Sequence, residues 1–366
     1  MEERAYEYWF YSLEYITETE RKRLLDMCGH VREIFDMSKG VLQDLVNISE
    51  RAKMSIYYRR DCVLIQKEME MMQKKNINFV CMSERKFPKR LLGISNPPSL
   101  LYYKGKLPEE EKSAVAVIGA RNCSAYGRKI SVELGEKLGM NGINVVSGMA
   151  RGIDGWAQKS SILNGGESFG VLGCGVDICY PKENLDLYEE LLSKGGIISE
   201  FRPGMPAKSI NFPQRNRIIS GLSDAIIVVE AKKQSGTSIT VGFGLDQGKE
   251  IFAVPGRVTD GLSEGCNYLI YQGANPVLDI EETVLELKKY EKIKGQKIKN
   301  KEKIKVSLES DQKLVYDFLD FTPKNIAQLA KELGEFDYEK LNSMLFDLEI
   351  EDKIEQISTG YYVRKK

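Results

Sequence analysis

Short apolar runs alternate with amphipathic stretches between residues 113 and 287. Runs such as AVAVIG and AIIVV are apolar throughout, which is typical of strands that are covered on both faces. Strands and helices alternate in this way in a parallel, doubly wound sheet with right-handed crossovers. The predicted strands are Ala114–Ile118, Asn144–Val146, Phe169–Leu172, Gly196–Ser199, Ala225–Val229 and Ile251–Val254, and the predicted helices include Lys129–Met140, Trp156–Leu163 and Asp186–Ser193.

The regions before and after this pattern differ from it. Residues 1–75 contain two glycines and no proline, and their apolar positions recur at helical spacing, which predicts a domain of four or five short helices. Residues 76–112 carry four prolines around short apolar runs and are interpreted as an extended connector. Nine lysines and two glutamates lie between Lys288 and Lys305, which predicts a solvated linker over 288–306, with a non-specific phosphate-binding tether as the alternative.

Residues 307–366 show three helical patterns followed by a hairpin with its turn at Thr359-Gly360, an order that predicts a small winged-helix domain. The third predicted helix, 337–352, contains six acidic residues against one lysine. A helix with this charge would be repelled by the phosphates of a major groove. We therefore expect this domain to bind protein, or the rest of the chain, rather than duplex DNA.

The amino-acid composition excludes several classes of function. The chain has 366 residues, 53 basic against 53 acidic side chains, one histidine and seven scattered cysteines without a C-x-x-C pair. A net charge of zero excludes a protein that binds nucleic acid by bulk positive charge alone. It does not exclude a local basic groove on such a protein. The single His30 argues against His-rich metal sites and Ser-His or Cys-His catalysis. The acidic start of the chain, the lack of a long apolar run and the unpaired cysteines predict a cytoplasmic protein without a membrane span.

Candidate ligand-binding residues follow the predicted strands, where open parallel sheets bind their ligands. Glycines there permit close approach of the backbone, and Ser235-Gly236-Thr237 is typical of a helix N-terminus, which binds anions. Each loop alone is also compatible with ordinary turn geometry, but together they predict a phosphate-bearing ligand. The candidates are Gly119, Arg121, Ser147, Gly148, Lys182, Ser235, Gly236 and Thr237.

The segment Phe201–Ser223 has four basic residues and no acid. Within it, Arg215, Asn216 and Arg217 follow Phe212 closely. Guanidinium groups match phosphate geometry, and an aromatic ring offers a stacking surface to a base, which is the combination that single-stranded nucleic acids require. The alternative is that one arginine forms a structural salt bridge while Phe212 packs in the core.

Several ordered motifs resemble one family. VAVIGAR, SGMARGID, LGCGVDICYP, FPQRNRIISGLSD, VVEA, SGTSIT and AVPG are similar to those of the DNA-processing protein A family, also called DprA or Smf. The resemblance implies an extended Rossmann-like fold that binds single-stranded DNA, forms a homodimer, and protects incoming strands while loading the recombinase RecA onto them in natural transformation. A single-strand-binding protein is a further implied partner, and no cofactor is implied.

The resemblance ranks Arg121 first among the DNA contacts, followed by Lys182 and the group of Phe212, Arg215 and Arg217. The chain departs from the family pattern at Ala120, where a hydroxyl residue is usual, and at Gln158, where histidine is usual. The N-terminal helices also lack the glycines of a helix-hairpin-helix turn. We therefore expect residues 1–75 to have a packing or partner role rather than to bind DNA.

Two other functions use the same fold. One is a sensor for a small nucleotide, and the other is an enzyme that resembles the phosphoribohydrolases acting on nucleoside monophosphates. Such enzymes have a Glu one turn after their Gly-rich loop, whereas here the first carboxylate after Thr237 is Asp246. Asp154 is expected to cap the helix after Gly152, and Glu230 to hold an arginine such as Arg217. These roles leave no convincing catalytic set, so a binding protein is predicted.

Overall fold

The computed structural model describes residues 1–295, 310–320, 323–334, 338–350, 353–358 and 360–365. The chain forms two compact units, Met1–Gln296 and Lys297–Lys366. The first unit contains the N-terminal helices together with the large sheet, and the second is the small C-terminal domain.

Six short helices open the chain, one more than the upper end of the prediction. Polar side chains fix where several of them begin. Thr17 and Glu20 form a capping box at the second helix, and the side chains of Ser38, Ser49 and Asp61 accept backbone N–H bonds at the first turns of the fourth, fifth and sixth. The helices are α1 (Glu3–Tyr11), α2 (Glu18–Cys28), α3 (Val31–Asp36), α4 (Lys39–Asp44), α5 (Glu50–Tyr58) and α6 (Cys62–Lys74).

These helices pack directly on the sheet. Trp9 and Phe10 are fully buried in a core that also includes Leu172 and Ile197 of the α/β region. A guanidinium nitrogen of Arg202 donates a hydrogen bond of 2.8 Å to the carbonyl of Ser12. The helical region and the sheet therefore share one hydrophobic core.

The first unit is built on a nine-stranded sheet with the order β1-β2-β6-β5-β4-β3-β7-β8-β9. Strands β3 to β9 run parallel, and β1 and β2 add an antiparallel edge beside β6. The predicted doubly wound, mainly parallel sheet is thus confirmed. The strands are β1 (Asn78–Cys81), β2 (Leu100–Gly105), β3 (Ala114–Ile118), β4 (Asn144–Ser147), β5 (Ser168–Val171), β6 (Gly195–Ser199), β7 (Ala225–Val228), β8 (Glu250–Ala253) and β9 (Asn275–Pro276).

Helices cover both faces of the sheet. Each of the three predicted helices is present, and the longest starts four residues earlier than predicted. The chain runs from β3 outward to β6 and then returns to the other side of β3 to form β7, so the strand order reverses beside β3. Ligands of open α/β sheets bind at such a reversal. The helices are α7 (Ala125–Met140), α8 (Ile153–Leu163), α9 (Leu185–Lys194), α10 (Asn211–Leu222), α11 (Gly236–Asp246), α12 (Glu264–Tyr271) and α13 (Ile280–Gly295).

The segment interpreted as a connector contributes β1 and β2 to the sheet. Its apolar residues Leu100 and Leu101 are buried there. The predicted lysine-rich linker begins inside α13, which continues to Gly295. The remainder of that linker, 296–306, lies outside the described residues.

The C-terminal unit is the predicted winged helix. Its strands form an antiparallel sheet of order β10-β12-β11, and its own core is centred on Val315, Leu329, Leu341 and Leu345. Asp337, Glu351 and Asp352 of the acidic third helix lie outside the described residues. The elements are α14 (Ser310–Phe318), β10 (Lys324–Asn325), α15 (Ile326–Leu333), α16 (Tyr338–Ile350), β11 (Ile354–Ser358) and β12 (Tyr361–Arg364).

Candidate nucleic-acid interface

A cleft of about 760 Å³ opens at the carboxyl ends of β3 and β7, where the strand order reverses. Its walls come from the loop after β3, the first turns of α10 and α11, and Tyr180. Eight of the predicted site residues line it: Gly119, Arg121, Phe212, Arg215, Asn216, Ser235, Gly236 and Thr237. The other four, Ser147, Gly148, Lys182 and Arg217, are not part of its lining.

An arginine and two aromatic rings meet in the cleft. The Phe212 ring is half-buried, and its centroid lies 5.4 Å from that of Tyr180 at an interplanar angle of 37°. The Cζ atom of exposed Arg121 lies 5.7 Å from the Phe212 centroid. Arg121 forms no ion pair with any described residue. The cleft therefore presents an uncompensated positive charge beside an aromatic surface. Tyr180 was absent from the predicted set, although its position in the loop after β5 was a usable signal.

Glu230 holds the loop that carries Arg121. Its carbonyl accepts a 2.7 Å hydrogen bond from the N–H of Ala120, and its carboxylate accepts a 2.9 Å bond from the N–H of Ser124 and a second bond from the Ser124 hydroxyl. The prediction that Glu230 pairs with Arg217 is therefore wrong. Gly119 has a packing role in this loop, because a Cβ there would lie 2.7 Å from a side-chain carbon of Ile153.

The N-terminus of α11 supplies hydrogen-bond donors to the cleft. Ser235 is the N-cap residue, but its side chain makes no capping bond, and its buried Oγ atom has no hydrogen-bond partner among the described residues. The first N–H groups of a helix lack partners within the helix, and its dipole favours negative charge there. Gly236 and Thr237 at this end therefore form a potential phosphate site.

Arg215 lies at the base of the cleft and is buried. Its guanidinium donates to the carbonyl oxygens of Gly148, at 3.3 Å, and Val171. Burial lowers the pKa of Arg215 to about 10, with Asp154 opposing the change, so the group stays charged at neutral pH. Burial likewise raises the pKa of Asp154, and Arg215 opposes that change. Arg215 thus places a charged guanidinium beneath the cleft, next to the carboxyl group of Asp154.

Asp154 does not cap its helix as predicted. It accepts a 3.0 Å hydrogen bond from the N–H of Gly148, and α8, which begins at Ile153 after the N-cap residue Gly152, has no side-chain cap. A Cβ on Gly148 would lie 2.7 Å from Arg215 and 2.9 Å from Asp154. Gly148 therefore makes room for the buried pair of charges, and this packing is its role in the structure.

Arg217 is a structural residue, which corrects its prediction as a DNA contact. Its two terminal nitrogens donate to the two carboxylate oxygens of Glu200 at 2.8 and 2.7 Å, and its Nε atom donates to the carbonyl of Asn96 at 2.9 Å. The Arg217 side chain is buried. The sequence left open that one arginine of the segment Phe201–Ser223 forms a structural salt bridge, and Arg217 is that arginine.

Two further predicted positions differ in exposure. The hydroxyl of buried Ser147 donates to the carbonyl of Val117 at 2.7 Å, so it is engaged inside the protein. Lys182 is exposed and follows Tyr180 by two residues. Gln158, the departure from the family pattern, is buried and links the loop after β4 to β5 through hydrogen bonds with Met149, Ser168 and Phe169.

The fold and the cleft define a Rossmann-like α/β protein with a cleft that carries an exposed arginine at one edge of its sheet. Among the described residues, no group of His, Cys, Asp and Glu side chains is arranged to hold a metal ion, and no helix is long and apolar enough to cross a membrane. The chain belongs to the DNA recombination-mediator protein A family, whose model matches residues 78–288.

Curated relatives agree with this membership. The chain is 38% identical to the DNA processing protein DprA of Streptococcus pneumoniae over 64% of its own length and 80% of that protein. It is also 38% identical to the DprA of Bacillus subtilis, over 59% of this chain and 73% of the relative. Protein Smf of Escherichia coli is 38% identical over 61% of this chain and 60% of the relative.

Solved structures of the same family have a similar fold. The X-ray structure of DprA from Streptococcus pneumoniae superposes with a TM-score of 0.65 at 32% identity, covering 77% of this chain and 97% of that one. DNA processing protein A from Helicobacter pylori, described for its single-stranded DNA binding mode, superposes with a TM-score of 0.53 at 27% identity, covering 58% and 97%.

Proposed function

We propose that this chain binds single-stranded DNA in the cleft between the loop after β3 and the first turns of α10 and α11. The observation that carries the proposal is the position of Arg121 beside the adjoining, mutually tilted rings of Phe212 and Tyr180. A guanidinium binds a phosphate, and an aromatic ring stacks on a base of any sequence. Family membership and the binding mode described for the Helicobacter pylori relative support it.

The cleft favours single strands over duplexes. Phe212 is half-buried in the lining of the cleft, and a base must leave its stack before it can lie on the face of such a ring. The N-terminus of α11 lines the same cleft and would hold a phosphate of that strand. The revised contact set is Arg121, Lys182, Phe212, Asn216 and the residues Ser235 to Thr237, with Arg215 acting through its charge.

We propose a binding protein rather than an enzyme. Both carboxylates that were candidates for catalysis are engaged in holding the site: Glu230 binds the Ser124 turn, and Asp154 lies with Arg215 and Gly148. The function that follows for the whole chain is a recombination mediator that protects incoming single strands and loads RecA onto them in natural transformation.

Partners follow from the same proposal. RecA and a single-strand-binding protein are the expected protein partners on DNA, and a second copy of the chain is expected to form a homodimer. Exposed apolar side chains near the β9 edge support self-association: Tyr271 is 83% exposed and Leu278 is 80% exposed. The winged helix is proposed to contact protein rather than duplex DNA.

A length series tests the proposed function. Fluorescein-labelled dT oligomers of about 5 to 30 nucleotides are titrated by anisotropy at two salt concentrations, with dTMP as competitor and a duplex of the same length as control. We expect affinity to rise with length up to about 15–20 nucleotides and to fall steeply with salt. Equal affinity for dTMP would indicate a nucleotide sensor, and release of free base from a nucleoside monophosphate would indicate an enzyme.

A further inference from the structure

A second arginine–aromatic contact lies outside the cleft. The Cζ atom of Arg128, on α7, lies 3.9 Å from the centroid of the Trp156 ring, on α8. Arg128 is exposed and Trp156 is partly exposed. A guanidinium that lies over an indole ring can keep its outer surface in solvent while the ring restricts its motion.

The charge of this arginine is not neutralised by any described carboxylate within ion-pair distance. Among the described residues, two other arginines lie comparably close to an aromatic ring, and both are paired. Arg4, 4.2 Å from the Phe79 centroid, pairs with Glu84 at 2.7 Å, and Arg364, 3.9 Å from the Tyr316 centroid, pairs with Asp317 at 3.1 Å. The Arg128–Trp156 stack therefore differs from the other two, in which a carboxylate of the protein pairs with the arginine.

The stack is joined to the loop that carries Arg121. The N–H of Arg128 donates to the carbonyl of Ser124, the residue held by Glu230. The N–H of Trp156 donates to the carbonyl of Gly152, where a Cβ would lie 2.2 Å from the Ala120 carbonyl oxygen. Ser124 and Gly152 end the loops that lead into α7 and α8. Arg128 and Trp156 therefore each lie about one helical turn, roughly 5.4 Å of rise, beyond the end of such a loop.

The chain segments on either side of the stack carry mostly basic charged side chains. Residues 119–132 contain no acidic side chain, and in residues 148–166 the only acid is the buried Asp154. The same two stretches carry Arg121, Arg128, Lys129, Arg151 and Lys159. Arg151 and Glu183 approach to 3.7 Å, but both side chains are more than half exposed, so this pair neutralises little charge.

We propose that the Arg128–Trp156 stack is a second contact site for the single strand that occupies the cleft, with a base or phosphate of that strand lying on the outer surface of the Arg128 guanidinium. This inference rests on the proposed function and extends it, because it directs the strand from the cleft across the loop after β3 onto α7 and α8. Guanidinium planes stack on unpaired bases as aromatic rings do.

Tryptophan fluorescence gives a direct readout. The chain has two tryptophans, and Trp9 is fully buried in the core of the N-terminal helices. Titration of the full chain with unlabelled dT20 is expected to change the emission of Trp156 in parallel with the anisotropy of a labelled dT20. The variant Trp156→Phe, which keeps a ring, is expected to bind dT20 without the emission change.

Affinity measurements separate stacking from charge. Arg128→Ala is expected to weaken dT20 binding about five- to tenfold while leaving a dT oligomer of about 6 nucleotides unaffected. Arg128→Lys keeps the charge and is expected to restore only part of the affinity. Arg364→Ala removes an equally close stack in the other unit and is expected to change neither value.

The outcomes distinguish the two proposals. Saturating dT20 binding without any change in Trp156 emission, or with unchanged affinity in Arg128→Ala, would overturn the second contact site and leave the cleft in place. Absence of any dT20 binding by the unsubstituted chain would overturn the proposed function, and this inference with it.

Discussion

The carboxylate of Glu230 accepts two hydrogen bonds from Ser124, one from its backbone N–H and one from its hydroxyl. Glu230 follows β7 and Ser124 precedes α7, so this contact joins two loops on either side of the strand-order reversal. Gly127 allows the contact, because a Cβ there would lie 2.3 Å from a carboxylate oxygen. The position of Arg121 therefore depends on a residue that lies more than a hundred positions away in the chain.

Removing this contact is expected to impair binding without removing any DNA-contacting group. Glu230→Ala leaves the Ser124 N–H without its charged acceptor and is expected to lower the free energy of unfolding by about 2–3 kcal/mol. It is also expected to weaken dT20 binding several-fold, since Arg121 loses its fixed position. Urea unfolding and anisotropy check the two effects. The proposed positioning role would be contradicted by an unchanged affinity in a variant that is destabilised as expected.

Alanine variants of Arg217 and Arg121 are expected to have opposite effects: the first lowers stability, and the second weakens DNA binding. Arg217→Ala leaves the largely buried carboxylate of Glu200, whose side chain is 12% exposed, without its partner, which is expected to cost about 3 kcal/mol of stability. Arg121→Ala alters an exposed side chain and is expected to change stability by less than about 0.5 kcal/mol. Below its melting transition, Arg217→Ala is expected to bind dT20 with near-normal affinity. A binding defect in Arg217→Ala equal to that of Arg121→Ala, with normal stability, would reverse the two assignments.

Gly148 tests the buried pair beneath the cleft. Gly148→Ala places a methyl group against Arg215 and Asp154, and this overpacking is expected to destabilise the chain by about 1–3 kcal/mol. Gly242 in α11 is the matched control, because a Cβ there meets nothing within 4 Å. Gly242→Ala is expected to stabilise the chain by up to about 1 kcal/mol. Thermal unfolding of both variants compares them, and equal effects would show that Gly148 has room for a side chain.

Glu20 is expected to make stability depend on pH in the acid range. Burial alone raises the pKa of this carboxyl, but hydrogen bonds from Ser49 and Thr17 lower it from 4.5 to about 2. Since the pKa is lower in the folded chain, the stabilisation is complete above the unfolded value and is lost as the pH falls through about 2.

The variant Glu20→Gln measures this contribution. Its deficit in unfolding free energy is expected to be on the order of 3 kcal/mol at pH 7 and to shrink steadily below about pH 4.5. Urea unfolding of both chains at several pH values gives the difference. A deficit that stays constant from pH 7 to pH 3 would show that the carboxylate has no special stabilisation in the folded chain.

The sheet was largely predictable from the sequence, because its central strands are apolar on both faces. The six predicted strands are all present, each within one residue of its predicted ends. The helix N-terminus at Ser235 was predictable from its Ser-Gly-Thr sequence. The pairing of β1 with β2 was not, since the short apolar runs of the connector do not show which strand they join.

The separate roles of Arg215 and Arg217 could not be predicted. They are two residues apart on α10 and therefore point about 200° apart around the helix axis. Which side faces the cleft depends on partners that are distant in sequence: Asp154 for Arg215 and Glu200 for Arg217. The same limit applies to Glu230, whose partner proved to be a serine near Arg121 rather than an arginine.

The most direct test of the central claim is the dissociation constant of labelled dT20 for Arg121→Ala, compared with Arg85→Ala at an exposed arginine after β1. If the cleft binds single-stranded DNA through Arg121, the first variant binds dT20 at least about tenfold more weakly, the loss expected for one charge-assisted phosphate contact. The second variant binds like the unsubstituted chain. Equal affinities for the two variants and the unsubstituted chain would contradict the assignment of this cleft as the DNA-binding site.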